Sequence, residues 1–205
     1  MAFLAALRGL IDLVAPRACP GCDHDLDWGE LGFCPACAPL LERMPHGPAA
    51  YAYGGPLGEG IRRLKYDGRT DLLEALHALV KPLTVAHLGR VDVVVPVPLH
   101  PSRLAERGYN QAALLAEPLA AALGVPLDEE RLRRVRPAVP QASLEGAARE
   151  ANVHRAFEAR RDDAQRRVLL FDDVRTTGAT LRSASGALYR SGAGTVRVQA
   201  LAGVQ

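Results

Sequence analysis

The chain has 205 residues, a formal net charge of +2, 48% hydrophobic and 23% charged residues, which excludes a disordered or fibrous polypeptide and predicts a soluble globular protein with a sizeable core. So small a net charge also excludes attachment to nucleic acid through a strong overall positive field, and any such role must be local. Only Lys65 and Lys81 among the 25 basic residues are lysines, so the cationic groups are almost all guanidinium forks, suited to phosphate.

The first nineteen residues, MAFLAALRGLIDLVAPRAC, carry Phe3, Leu4, Leu7, Leu10, Ile11 and Val14 at helical spacing on one face. This predicts an amphipathic helix packed on the body. Arg8 and Asp12 interrupt the apolar run and no basic segment precedes it, so a mature segment is expected and not a secretory signal. No other stretch approaches the roughly eighteen apolar residues of a membrane span, and the expected location is the cytoplasm.

All four cysteines follow as two pairs, Cys19-Pro-Gly-Cys22 and Cys34-Pro-Ala-Cys37. Each pair can grip a metal ion from one tight turn, and two turns complete a tetrahedral four-thiolate site, best suited to zinc. A disulfide framework fits poorly without a secretory signal, and a redox CxxC needs no second copy. Four thiolates saturate the ion, so the role is structural or docking; His24 reads as a loop residue, with a substitute ligand as the alternative. Residues 39–48, with three prolines and one glycine, read as a linker. They divide an N-terminal helix and four-cysteine module, residues 1–45, from a main domain, residues 46–205.

In the main domain, residues 49–53 are predicted as a strand, with helices over 57–66 and 71–87. Residues 91–97, VDVVVPV, are a β-branched run typical of a strand buried on both faces. Residues 110–123 read as a helix ended by Gly124, and 144–157 as another. A second buried strand over 168–171, a helix over 178–191 and a last strand over 195–201 complete the pattern. Strands alternating with helices predict an α/β domain with a mostly parallel sheet.

The most informative stretch is residues 168–180, VLLFDDVRTTGAT. Four apolar residues end at adjacent carboxylates, Asp172 and Asp173, where open α/β sheets bind ligands. Paired carboxylates accept hydrogen bonds from a cis-diol such as that of ribose. Thr176, Thr177, Gly178, Ala179 and Thr180 then form a small-residue turn whose amides and hydroxyls can enclose a phosphate at a helix start. Separately, a solvated strand end and a helix cap explain these pieces; in register they do not. The stretch resembles the phosphoribosyl-diphosphate motif of type I phosphoribosyltransferases along its whole length. The resemblance implies that Asp172 and Asp173, the catalytic candidates, hold the ribose hydroxyls and that residues 176–180 hold the 5-phosphate. Arg175 departs from the pattern, which commonly has a smaller or apolar side chain there.

Residues 91–111, VDVVVPVPLHPSRLAERGYNQ, carry a second signal. Pro96 and Pro98 fix the backbone after a buried strand, and Arg103 and Arg107 offer forks for diphosphate oxygens. A proline-bent loop with solvated arginines fits the same residues equally well. The segment PVPLHPSRLAERGYNQ, with LKYDGR at 64–69, resembles the ComF family of competence-associated phosphoribosyltransferase-like proteins, whose relatives include amidophosphoribosyltransferases. The resemblance implies a diphosphate site at Pro98, Leu99, Arg103, Arg107 and Lys65, with Mg²⁺ neutralising the diphosphate. Residues 136–157 resemble that family's flexible region, so Gln141, Arg149 and Asn152 are expected on a lid that excludes water; a plain surface loop and helix is the physical alternative. The family also carries an N-terminal cysteine cluster.

Phosphoribosyl transfer requires positioning of the donor and stabilisation of the departing diphosphate. No residue stands out as a general base or acceptor pocket. Three functions therefore stay open: a phosphoribosyltransferase linked to DNA uptake, a non-catalytic competence accessory protein meeting a helicase or recombination partner or weakly contacting single-stranded DNA, and a sensor of phosphoribosyl diphosphate. Arginine-rich stretches at 131–136 and 160–167 permit the second, although solvated surface is their default reading.

Overall fold

The computed structural model describes residues 17–26, 32–136, 156–161 and 164–204. In chain order the elements are β1 (Ala49–Ala52), α1 (Gly55–Tyr66), α2 (Leu73–Val80), α3 (Thr84–His87), β2 (Val93–Pro96), α4 (Pro101–Arg107), α5 (Gln111–Leu123), β3 (Leu132–Arg134), β4 (Phe157–Ala159), β5 (Arg167–Arg175), α6 (Ala179–Arg190) and β6 (Thr195–Gly203). Four strands form a sheet in the order β1-β6-β5-β2, parallel throughout. This is the predicted α/β architecture.

The sheet is parallel because each strand returns through helices, and its central strands are apolar on both faces to match. Alternate residues of β5 supply two cores. Leu169 and Phe171 pack with Leu57, Ile61 and Leu64 of α1 and Leu115 and Leu119 of α5. Val168 and Leu170 pack with Leu181, Ala184 and Leu188 of α6 and with Leu132 and Phe157. The last two residues belong to β3 and β4, an antiparallel ribbon that lies on α6.

Several sequence expectations change. The helix expected over 71–87 is divided into a 3-10 turn (Thr70–Leu72), α2, a second 3-10 turn (Lys81–Leu83) and α3. Pro82 lacks the amide that would reach the Ala78 carbonyl, so the helix tightens there. The loop expected after β2 contains α4, which Pro101 starts, His100 caps through Nδ1 accepting from Ser102 N at 3.4 Å, and left-handed Gly108 ends. Phe157, expected as the last residue of a helix, is in β4 opposite Arg134, with its side chain buried in the second core; residues 144–155 of that expectation lie outside the described residues, as does the apolar face of the first helix. Among the described residues no helix is long and apolar enough to cross a membrane.

The edge strand β1 is tied down by a buried polar chain. His87 Nε2 lies 3.1 Å from Gln199 Oε1, and Gln199 Nε2 donates to the carbonyls of Pro48, at 3.0 Å, and Ala200. Burial lowers the His87 pKa from 6.5, opposed by the Gln199 hydrogen bond and assisted by Arg197 and Arg90. A depressed folded-state value means that its contribution is complete above the unfolded value of 6.5 and is lost as pH falls through that value towards the folded one. Urea unfolding at about pH 7.5 and about pH 5.5 should show a stability loss on acidification that is smaller in His87→Gln. Equal losses in both proteins would contradict this role.

Candidate functional site

The strand β5 does not stop at Phe171. It continues beside β6 through Asp172, Val174 and Arg175, opposite Ala200, Ala202 and Gly203. Asp172 and Asp173 therefore lie inside the strand and not at its end, and their carboxyls still lie close enough to interact with each other. Both are buried, at 8% and 3% exposure. Asp173 meets Lys65 on the α1 side, with Nζ 2.6 Å from Oδ2. Its Oδ1 accepts from Val174 N at 2.7 Å, and Asp172 Oδ1 accepts from Asp173 N at 2.9 Å. Burial, reinforced by the neighbouring Asp173 charge and opposed by Lys65, raises the Asp172 pKa well above the usual carboxylate range. A carboxyl that keeps its proton more readily can donate a hydrogen bond as well as accept one.

Beyond β5, residues 176–180 turn into α6. Gly178 has φ 74°, the left-handed region where a side chain is strained. A Cβ there would come 3.2 Å from the Arg182 guanidinium and 3.3 Å from Arg175 Nε. Arg182 donates to the Thr177 carbonyl at 2.9 Å, and Thr177 Oγ1 accepts from Ala179 N at 3.4 Å. Exposed Thr176 and Thr177, the first amides of α6 and two guanidinium groups thus surround one small turn, an arrangement that favours an anion. Arg175, the departure from the family pattern, lies against this turn. Arg182 was missed; its place four residues after Gly178, on the first turn of a helix, is the signal that marks it.

The residues after β2 border the same end of the sheet. Val97 N donates to the Phe171 carbonyl at 2.8 Å, and Asn110 Nδ2 to the Val97 carbonyl at 3.2 Å, which ties the proline-bent segment with Pro98 and Leu99 to β5. The two arginines of α4 differ. Arg107 sits 5.4 Å from the Tyr66 ring centroid and donates to Gln111 Oε1 at 2.5 Å, while Arg103 is exposed. Arg134 of β3 joins them, unanticipated from the sequence. It lies 5.3 Å from the Phe157 ring centroid, and its pKa is lowered by burial and by Arg103 and supported by Asp172. In β3 Leu132 is buried, Arg133 exposed and Arg134 partly buried, an alternation too short to be read from the sequence. Gln141, Arg149 and Asn152 lie outside the described residues.

At the other end of α1, Cys19, Cys22, Cys34 and Cys37 bring their sulfur atoms within 4.8 Å of one another, with Cys22 and Cys34 at 3.6 Å. A tetrahedron of roughly 2.3 Å metal–sulfur bonds has edges of roughly 3.8 Å, so this cage fits zinc. Cys34 N points to Cys19 Sγ at 3.4 Å. The Cys37 amide leads the effects that bring the Cys34 thiol down to about 7, whereas burial pushes Cys37 up. His24 stands outside this group of four and contributes its carbonyl, accepting from Cys19 N at 2.8 Å.

No protein-family model matches the chain. It is 35% identical over 191 residues to the DNA utilization protein YhgH of Escherichia coli (strain K12), spanning 89% of this chain and 82% of that protein. The chain belongs to the ComF family. Competence protein F of Haemophilus influenzae is 29% identical over 215 residues, covering 95% of this ComF-family chain and 94% of its own length. Among solved structures, an adenine phosphoribosyltransferase is similar at 17% identity and a TM-score of 0.47, over 83% of this chain and 88% of that one.

Two measurements test this ComF-family site directly. The raised Asp172 value means its favourable contribution is complete below the unfolded value of 3.8 and lost as pH rises through the folded one. Asp172→Asn should therefore raise the thermal midpoint at neutral pH by more than at pH about 4, and a lowered neutral midpoint would contradict the assignment. Elemental analysis of protein purified under reducing conditions should give about one metal ion per chain, falling well below that in Cys34→Ser.

Proposed function

We propose that this protein binds phosphoribosyl diphosphate with Mg²⁺ at the carboxyl end of β5 and transfers the phosphoribosyl group in a process tied to DNA uptake. The carrying observation is the continuity of the buried Asp172–Asp173 pair with the Gly178 turn and its two guanidinium groups. A sugar phosphate offers hydroxyl donors to the first and an anion to the second, at the spacing that one strand and one turn provide. In this reading Asp172 and Asp173 hold the ribose hydroxyls, and Thr176, Thr177, Gly178, Ala179 and Thr180 hold the 5-phosphate. Pro98, Leu99, Arg103, Arg107 and Lys65 receive the diphosphate, joined by Arg134.

The two aspartates have different partners, so they act in different ways. Asp172, whose carboxyl resists ionisation, meets the ligand, and Asp173 acts with Lys65, which passes to the diphosphate when Mg²⁺ and ligand arrive. Gln141, Arg149 and Asn152 close over the bound donor. Zinc in the four-cysteine cage is structural, residues 1–45 form a zinc-binding module beside the main domain of residues 46–205, and the protein works in the cytoplasm. The link to DNA uptake is supported by relatives named for DNA utilization and competence.

Calorimetry with phosphoribosyl diphosphate and Mg²⁺ should give a dissociation constant on the order of micromolar. Asp172→Asn should weaken it by about tenfold or more, through loss of a hydrogen bond to a chargeable group, and Asp172→Asn with Asp173→Asn should abolish it. Absence of heat with the unaltered protein would overturn the reading.

A further inference from the structure

One helix joins the cysteine cage to the carboxylates of β5. The amino-terminal half of α1 lies against the first cysteine loop at distances that only glycine permits. A Cβ on Gly60 would stand 2.7 Å from Pro20 Cβ, and a Cβ on Gly21 would stand 2.5 Å from Pro56 Cβ and 3.0 Å from Cys37 Sγ. Each side thus gives up one side chain so that the two backbones can meet. Cys19, Cys34 and Cys37 are buried in the same core as Leu57, Ile61 and Leu64 of this helix.

Charge tethers the same junction. Asp23, between Cys22 and His24, has the left-handed φ of 64°. It accepts from Arg69 at 2.8 Å and lies 3.2 Å from Arg63 NH1, while Glu59 holds Arg63 and Asp71 holds Arg69 from the far sides. Exposed ion pairs contribute little, whereas forcing volume into a packed contact is costly. The glycine contacts therefore set where α1 sits, and the arginines keep it there.

The last turn of α1 carries the functional end. The Leu64 carbonyl accepts from the Tyr109 hydroxyl, and the next residue, Lys65, makes the 2.6 Å pair with Asp173. Gly60 and Lys65 are five residues apart, about 7.5 Å along a helix. That is too short a length to absorb a displacement at one end by bending.

We propose that the metal-closed cysteine cage is a positioning device for Lys65, with Asp23 and Gly60 as positioning residues that act through α1 on the Lys65–Asp173 pair. Closing the cage presses the Pro20 loop onto Gly60 and holds the helix where the ammonium reaches the carboxylate. Opening the cage frees the helix and loosens the pair. The effect on phosphoribosyl diphosphate affinity rests on the function proposed above; the effect on the pair does not.

The lysine content makes a ligand-free test possible. Lys65 and exposed Lys81 are the only amines on side chains, so limited labelling with an amine-reactive ester, read by mass spectrometry, reports Lys65 against an internal reference. Metal-loaded protein should label Lys65 more slowly than Lys81, and Asp173→Asn should raise the ratio by about fivefold, the population change that a little under 1 kcal/mol produces. Chelation under reducing conditions should raise the ratio comparably, and Asp23→Ala or Gly60→Ala, with metal retained by elemental analysis, should raise it in part. An unchanged ratio after chelation and in both metal-loaded variants, with Asp173→Asn still responding, would overturn the proposal.

A second readout is ligand affinity. Chelation should weaken phosphoribosyl diphosphate binding in the unaltered protein and have no further effect in Lys65→Met, whereas a general loss of stability would weaken both alike. Binding that is present and insensitive to chelation would refute the coupling while leaving the ligand site standing. No binding at all, with the labelling ratio responding, would refute the ligand site and leave the coupling.

Discussion

Two adjacent carboxylates inside the central strand of a parallel sheet impose the dominant constraint on this molecule. Charged groups out of water need partners, and a buried pair of like charge needs them more. The two groups interact with each other, yet each draws on partners of its own. Asp173 receives an ammonium from α1 and an amide from its own strand. Asp172 receives the Asp173 amide and a share of the Arg134 field, and otherwise resists ionisation. The layers on both sides of the sheet are thus arranged around one dipeptide.

This constraint explains details that the fold alone does not require. A helix could cover β5 without ending in a lysine, and a ribbon could cover α6 without an inward arginine. The presence of Lys65 and Arg134 at those places makes the strand stable enough to exist with its acids buried. It also leaves the site poised: a ligand bringing hydroxyl donors and oxygen acceptors can replace the internal partners without exposing either acid to an apolar surface.

Strands β2 and β5 were legible in the sequence because buried parallel strands read as continuous apolar runs, as 93–96 and 168–171 do. Their lengths were not, since β5 and β6 continue through polar and small residues that only pairing across the sheet commits to strand. The same limit explains the aspartates. Adjacency in sequence suggested two groups acting together at a strand end; the two carboxyls do interact, but from inside a strand that continues past them. The ribbon β3–β4 escaped because three residues show too little periodicity, and α4 because its residues are mostly exposed, so no apolar face announces it. The cysteine cage was fully legible, because ligand spacing alone dictates it. The docking of that cage on α1 was not, because it rests on Gly21 and Gly60, and a glycine announces itself in sequence as a turn more readily than as a close contact.

Charge gives the last step. A net charge of +2 describes a nearly neutral chain, yet Arg175 and Arg182 flank the Gly178 turn, and Arg134 lies within the fields of both Asp172 and a further cation, Arg103. Lys65 adds a fifth cation at Asp173. Elsewhere the arginines are matched locally: Arg62 by Glu59 and Asp67, Arg69 by Asp23 and Asp71, Arg167 by Asp92. Matched pairs leave little field beyond a Debye length, about 8 Å at physiological salt, so they do not compete for an anion. One end of the sheet thus gathers more cations than acids, and the resistance of Asp172 to ionisation favours that excess. The place where positive charge is left over coincides with the place where the strand, the turn and the helix start converge.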